Sequence, residues 1–160
     1  MQAHATNARS WQIGPQLSKL VVTEVQPLVS IPASHRDIFE GKNFAHVATL
    51  MKDGSPQVTP LWIDIDGDTI VFNTAEGRTK ARNLDRDGRI AISVHDQERP
   101  YRYIQVRGVV ESRTNEGADA HIDKMSKKYT GNATYAGRAR NPAEQRVIYR
   151  IRVEHVQTMG

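Results

Sequence analysis

Between Arg146 and Val156 apolar residues alternate with polar ones, with Val147, Tyr149, Ile151 and Val153 on one side of the repeat. A period of two marks a strand with one buried face. Upstream, five more segments read as strands. Phe44 to Met51 runs into Lys52-Asp53-Gly54-Ser55, where the Asp-Gly pair suits the positive-φ geometry of a tight hairpin turn. A second strand covers Gln57 to Ile65, and similar turn chemistry returns at Asp66-Gly67-Asp68. Thr69 to Thr74, β-branched and aromatic, makes a third, so these three form a meander. Arg89 to His95 is the fourth and Tyr101 to Glu111 the fifth. Gly108 within the fifth predicts a bend or bulge at which a barrel can close.

Helical signals fall only in the connections. Ser34 followed by Asp37 predicts a capped start for a short helix, His35 to Glu40, ended by Gly41. Thr79 to Asp87 places Ala81 and Leu84 on one face and stops at Gly88, and Asn115 to Tyr129 reads as a longer helix. A Gly- and Asn-rich connection, Thr130 to Pro142, precedes the last strand. Strands and helices do not alternate as β-α-β units, so the expected fold is mainly β: a six-stranded antiparallel barrel rather than a doubly wound parallel sheet. Residues 1–33 read as a partly flexible N-terminal extension, because the first fifteen positions show no periodicity, and 34–160 as one domain.

Composition narrows the chemistry. The 160 residues include no cysteine, which removes thiolate catalysis, Cys-ligated zinc and iron–sulfur clusters and fits a reducing cytoplasm. Lys and Arg exceed Asp and Glu by 22 to 18, which favours an anionic partner or serves solubility alone. The bases are scattered among acids with no long run, so nucleic acid is not expected. Leu17 to Ile31, the most apolar N-terminal stretch, is interrupted by Lys19, Glu24, Gln26 and Pro27, and no membrane span is expected there. The six histidines show no metal-ligand spacing. Asp64, Asp66 and Asp68 fit hairpin chemistry better than a calcium loop.

The densest functional signal is Glu76-Gly77-Arg78-Thr79-Lys80-Ala81-Arg82-Asn83-Leu84, where a strand hands over to a helix. Unpaired N–H groups and the positive dipole end of a helix start, joined by Arg78, Lys80 and Arg82, suit a phosphate. The same residues also fit the basic solvent face of an amphipathic helix. At 100° per residue Arg78 and Arg82 share a face while Lys80 points away, so all three converge only if Arg78 lies in the turn before the helix.

The order of strand, Asp-Gly turn, Pro56-Gln57-Val58-Thr59-Pro60-Leu61-Trp62, strand, and Arg78-Thr79-Lys80-Ala81-Arg82-Asn83-Leu84 resembles the split β-barrel family of pyridoxamine-phosphate-oxidase-like flavin and deazaflavin oxidoreductases. Its FMN-binding-barrel fold is thereby implied from about Ser34 to Val156. The Arg-x-Lys-x-Arg-Asn-Leu form is similar to the branch that uses the deazaflavin F420, and Met125 to Tyr129 and Arg146 to Ile151 are similar too. The resemblance implies that Arg78, Lys80 and Asn83, with Arg82, hold the cofactor phosphate. Asn73 and Thr74 would add hydrogen bonds, and Val58, Thr59, Pro60, Leu61 and Trp62 would lie along the ring. It further implies a homodimer with cofactor sites at the interface, with Tyr101, Tyr103 and Gln105 as candidates for the cover, and a small-molecule substrate, with Tyr129 and Tyr135 as candidates for shaping its pocket. The implied activity is F420-dependent hydride transfer to a small conjugated acceptor. FMN in place of F420, or a non-catalytic carrier or sensor of F420 or haem, are the rival readings.

Overall fold

The computed structural model describes residues 29–160; most of the expected N-terminal extension lies outside the described residues. A 3₁₀ turn, Ala33–His35, leads into α1 (Arg36–Glu40). Strands β1 (Ala45–Leu50), β2 (Pro56–Leu61), β3 (Ile63–Asp66) and β4 (Thr69–Ala75) follow, then α2 (Thr79–Arg86). Next come β5 (Arg89–His95), β6 (Tyr103–Thr114), α3 (Ala118–Thr130), a single turn α4 (Gly137–Arg140) and β7 (Arg146–Met159).

All strand pairs are antiparallel, in the order β2-β1-β5-β6-β7-β4-β3. The two outermost strands, β2 and β3, are separated in the chain by Trp62 alone. Two edges so joined cannot lie at opposite sides of a flat sheet, because one residue spans only about 3.5 Å. The sheet therefore curls until its edges meet, giving the split barrel expected from the sequence, with seven strands in place of six. The extra strand arises because Gln57 to Ile65 breaks at Trp62: the first half pairs with β1 and the second with β4.

The pairing of β6 with β7 shifts register at Arg107/Gly108 and Val110/Ser112, irregularities of the kind that bend a strand. A Cβ at position 108 would overlap the carbonyl oxygen of Arg152, so the expected bulge at Gly108 is also a point of closest backbone approach. Inward-facing Val47, Ile63, Ile70, Phe72, Ile92, Ile104, Tyr149 and Ile151 fill the barrel. Ser34 does not cap α1 as expected. The chain begins turning two residues earlier, after Pro32, and Ser34 Oγ lies 2.9 Å from His35 Nδ1 instead. The Asp37 carboxylate accepts from Arg102 at 2.7 and 2.9 Å.

Candidate functional site

Helix α2 owes its position to the core beneath it. Tyr149 stacks on Phe72 with ring centroids 5.4 Å apart, and its hydroxyl donates to Asp85 Oδ1 at 2.8 Å. Ala81 and Leu84 are buried against the barrel. At the other end β4 stops at Ala75, Gly77 turns the chain with φ of 72°, and Arg78 takes the position before the first helical residue. The condition for Arg78 and Lys80 to converge is thus met. No side chain caps the helix, which leaves its first amide N–H groups and positive dipole end available.

Beside this helix start is an open cavity of about 210 Å³. Of the residues expected to form the site, Pro60, Leu61 and Trp62 from the end of β2, Asn73 and Thr74 from β4, and Arg78 and Lys80 line it. Val58, Thr59, Arg82 and Asn83 do not. Val58 is exposed farther back along β2, and Arg82 folds onto the Gly77 carbonyl and the Thr79 hydroxyl. Asn83 sits one turn deeper, buried, and donates to Thr49 Oγ1 at 3.0 Å, tying α2 to β1. Tyr101 projects from the turn before β6, and neither it nor Tyr103 or Gln105 lines the cavity of this chain.

The electrostatics are those of an anion site. Arg146 is buried, donating Nη1 to Glu144 Oε2 at 2.8 Å and Nε to Asn73 Oδ1 at 2.7 Å. Arg78 Nη2 donates to the other oxygen of Glu144 at 2.6 Å. Burial disfavours the Glu144 charge, but the hydrogen bonds from Arg146 and Arg78 outweigh it and hold the carboxyl below its usual range. Lys80 has no hydrogen-bond or ion-pair partner among the described residues. Burial first, then repulsion from Arg78 and Arg146, draws its ammonium below the ordinary lysine value. Two guanidinium groups therefore share one carboxylate, and the Lys80 ammonium beside them has none. Thr74 continues the inward series of Ile70 and Phe72, and its buried Oγ1 has no partner.

One wall of the cavity is aromatic. Trp62 stacks on Tyr129, centroids 5.3 Å apart and planes within 9°, and meets Tyr135 edge-on at 6.0 Å. Tyr129 fixes the break between β2 and β3: its hydroxyl donates to Asn43 O at 2.7 Å and accepts from Ile63 N at 3.0 Å. Burial pushes that phenol up to about 12, and with both backbone groups bound to it Tyr129 acts as a structural brace. The Arg146 guanidinium lies over the Tyr135 ring, Cζ 5.2 Å from the ring centroid, and Tyr135 does face the cavity.

Sequence reasoning did not single out Phe44, Ile122, Glu144 or Arg146. Alternation along β7 assigns Arg146 to the side opposite Val147 and Tyr149, which looks like solvent. Helix α3 covers that side, as the bond from Asn73 Nδ2 to Ala118 O at 2.8 Å shows. The only available signal was a lone Arg heading an otherwise regular strand.

A curled antiparallel sheet whose seam adjoins a cationic strand-to-helix turn defines a split β-barrel. The chain belongs to the pyridoxamine 5′-phosphate oxidase family, whose model matches residues 31–160. Among solved structures it is similar to an F420 reductase, with 32% identity over 79% of this chain and 98% of that one, at a TM-score of 0.69. It shares its fold with Rv2991 from Mycobacterium tuberculosis (22% identity, 82% and 86% coverage, TM-score 0.65). The same holds for HupZ of Group A Streptococcus (23%, 80% and 93%, 0.57). No curated protein matches the chain. Among the described residues no helix is long and apolar enough to cross a membrane.

Proposed function

We propose that the cavity beside α2 anchors the phosphate of F420 and that the protein is an F420-dependent oxidoreductase acting on a small conjugated acceptor. The observation that carries this reading is the surplus of cations: Arg78 and Arg146 share the single carboxylate of Glu144, and Lys80 stands unpaired beside them at an uncapped helix start. Like charges brought together and half buried repel one another, and an anion between them relieves that cost. Glu144 grips both guanidinium groups and so fixes their spacing before a ligand arrives. Thr74 Oγ1 supplies a hydroxyl with no competing partner. The likeness to an F420 reductase over nearly that protein's whole length favours the deazaflavin over FMN.

With such a cofactor bound, the available chemistry is transfer of a hydride to an electrophilic carbon of the acceptor, with a proton completing the reduction. The chain's own contribution is to anchor and orient. Pro60, Leu61 and Trp62 offer a flat apolar wall, and Tyr129 and Tyr135 hold the Trp62 ring in place. Tyr129 keeps its proton on a backbone carbonyl, which leaves solvent or Tyr135 to supply one.

A recess of about 210 Å³ is smaller than the roughly 300–1,000 Å³ of sites that enclose a drug-sized ligand. It suffices for the phosphate end. The ring then needs a second surface, and a second copy of the chain is the proposed cover, meeting the exposed Phe44 and Val58 beside the aromatic wall.

Fluorescence titration with F420 and with FMN tests the reading. Micromolar binding of F420 is expected, and its absence would overturn the assignment; binding of FMN alone would transfer the site to the flavin. Oxidation of reduced F420 by quinones, enones or nitro compounds separates an enzyme from a carrier. Arg78→Ala or Lys80→Ala should each weaken binding about ten- to a hundredfold, the value of one charge-assisted hydrogen bond.

A further inference from the structure

Asn73 stands between the anion cavity and the half-buried His121. Arg146 Nε can only donate, so the Asn73 atom facing it at 2.7 Å is the carbonyl oxygen Oδ1. The Asn73 amide nitrogen must then point the other way, where Nδ2 donates to Ala118 O at 2.8 Å and lies 3.4 Å from His121 Nδ1. Turning the amide over would set a donor against Arg146 and an acceptor against a carbonyl. His121 Nδ1 therefore carries a lone pair, and the neutral ring bears its proton on Nε2. That atom is buried, without a hydrogen bond of good geometry, and lies 3.4 Å from Asp64 Oδ2.

We propose that His121 is a positioning residue of the anion cavity: as the Nε2–H tautomer it holds Asn73, and through Asn73 it holds Arg146, while protonation of the ring loosens that hold. This deepens the proposed phosphate site and rests on it. The charged groups around the ring are few. Asp64 faces it from β3 and is itself paired with Lys124 Nζ at 2.5 Å, one turn along α3. Beyond Asn73 stand Arg146 of β7 and its partner Glu144. Burial works against the Asp64 charge, but the nearby His121 and Lys124 prevail and keep the carboxyl well below the usual range, so Asp64 stays charged near neutrality. A proton arriving at Nδ1 sets two donors face to face. Asn73 must then shift, and the bond it gives Arg146 is strained or lost.

The consequence is an anion affinity that falls on the acid side through a residue that does not line the cavity. His121→Asn separates this from a merely structural role, because the Asn Oδ1 stands in for Nδ1 as an acceptor and does not titrate. ¹⁵N NMR of the ligand-free protein should show the Nε2–H tautomer at pH 8. The Arg146 Nε–H resonance should move together with His121 as the pH falls to 5, and should stay still in His121→Asn. An Nδ1–H tautomer, or an Arg146 signal indifferent to His121, would overturn the proposal.

F420 titrations at the same pH values supply the second arm. The wild-type protein should lose about tenfold more affinity toward pH 5 than His121→Asn, the worth of one hydrogen bond to a charged group. Titration of the ligand itself is common to both proteins and cancels. Parallel curves would refute the coupling. If neither protein binds F420 while the NMR coupling persists, the cofactor assignment falls and the positioning role of His121 stands.

Discussion

Tyr129 carries more of the fold than a loop-side tyrosine would suggest. Its hydroxyl serves Asn43 O and Ile63 N across the break between β2 and β3, and its ring backs Trp62. Tyr129→Phe should keep the stacking and strand two backbone groups, lowering stability by about 1–3 kcal/mol in urea denaturation. The phenol also links stability to pH. Its folded value is raised from 10.0 to about 12, so the folded state keeps a proton that the unfolded chain gives up. Stability from this source is complete below about pH 10 and is lost as the pH rises through about 12. Tyr149, raised in the same direction by burial and then by Asp85, adds to the decline; the Phe variant at 129 should show a shallower slope than wild type.

At the scale of elements, the site depends on α2 being held in register with β4 and β7. Tyr149→Phe removes the bond to Asp85 while leaving the core ring in place. Cofactor affinity should fall with little change in secondary structure by circular dichroism. Gly108→Ala drives a methyl group into the Arg152 carbonyl, and the overlap should cost about 1–3 kcal/mol or more. Hydrogen exchange should locate the loosening in β6 and β7. These elements were legible in the sequence because their periods and turn residues are local properties. The start of β5, the Asp-Gly hairpin and the bulge at Gly108 were found where the chain's own chemistry puts them. Residues whose surroundings come from afar were not. Trp62 reads as the middle of one strand because nothing nearby shows that its two flanks pair with opposite edges. Asn83 follows three phosphate-gripping candidates in sequence, yet the helix turns it toward Thr49. Arg146 and Glu144 lie more than sixty residues from Arg78 and meet it only through the sheet.

For the molecule as a whole, the proposed second copy can be tested directly. Light scattering after gel filtration should give twice the mass of the chain. Val58→Asp, on the exposed side of β2, should halve that mass and weaken F420 binding. A monomeric wild type with undiminished affinity would show that one chain completes the site.

The strand order has one more consequence. Removing β7 from β2-β1-β5-β6-β7-β4-β3 leaves two unconnected ladders, β2-β1-β5-β6 and β4-β3. The last of the seven strands in chain order is thus the keystone of the arch, and Arg146, its first residue, brings the third cation to the cavity. A nascent chain still lacking β7 has two raw ladder edges and no anion recess. Phosphate binding during synthesis would accordingly report, within one residue's placement, the moment at which the arch locks.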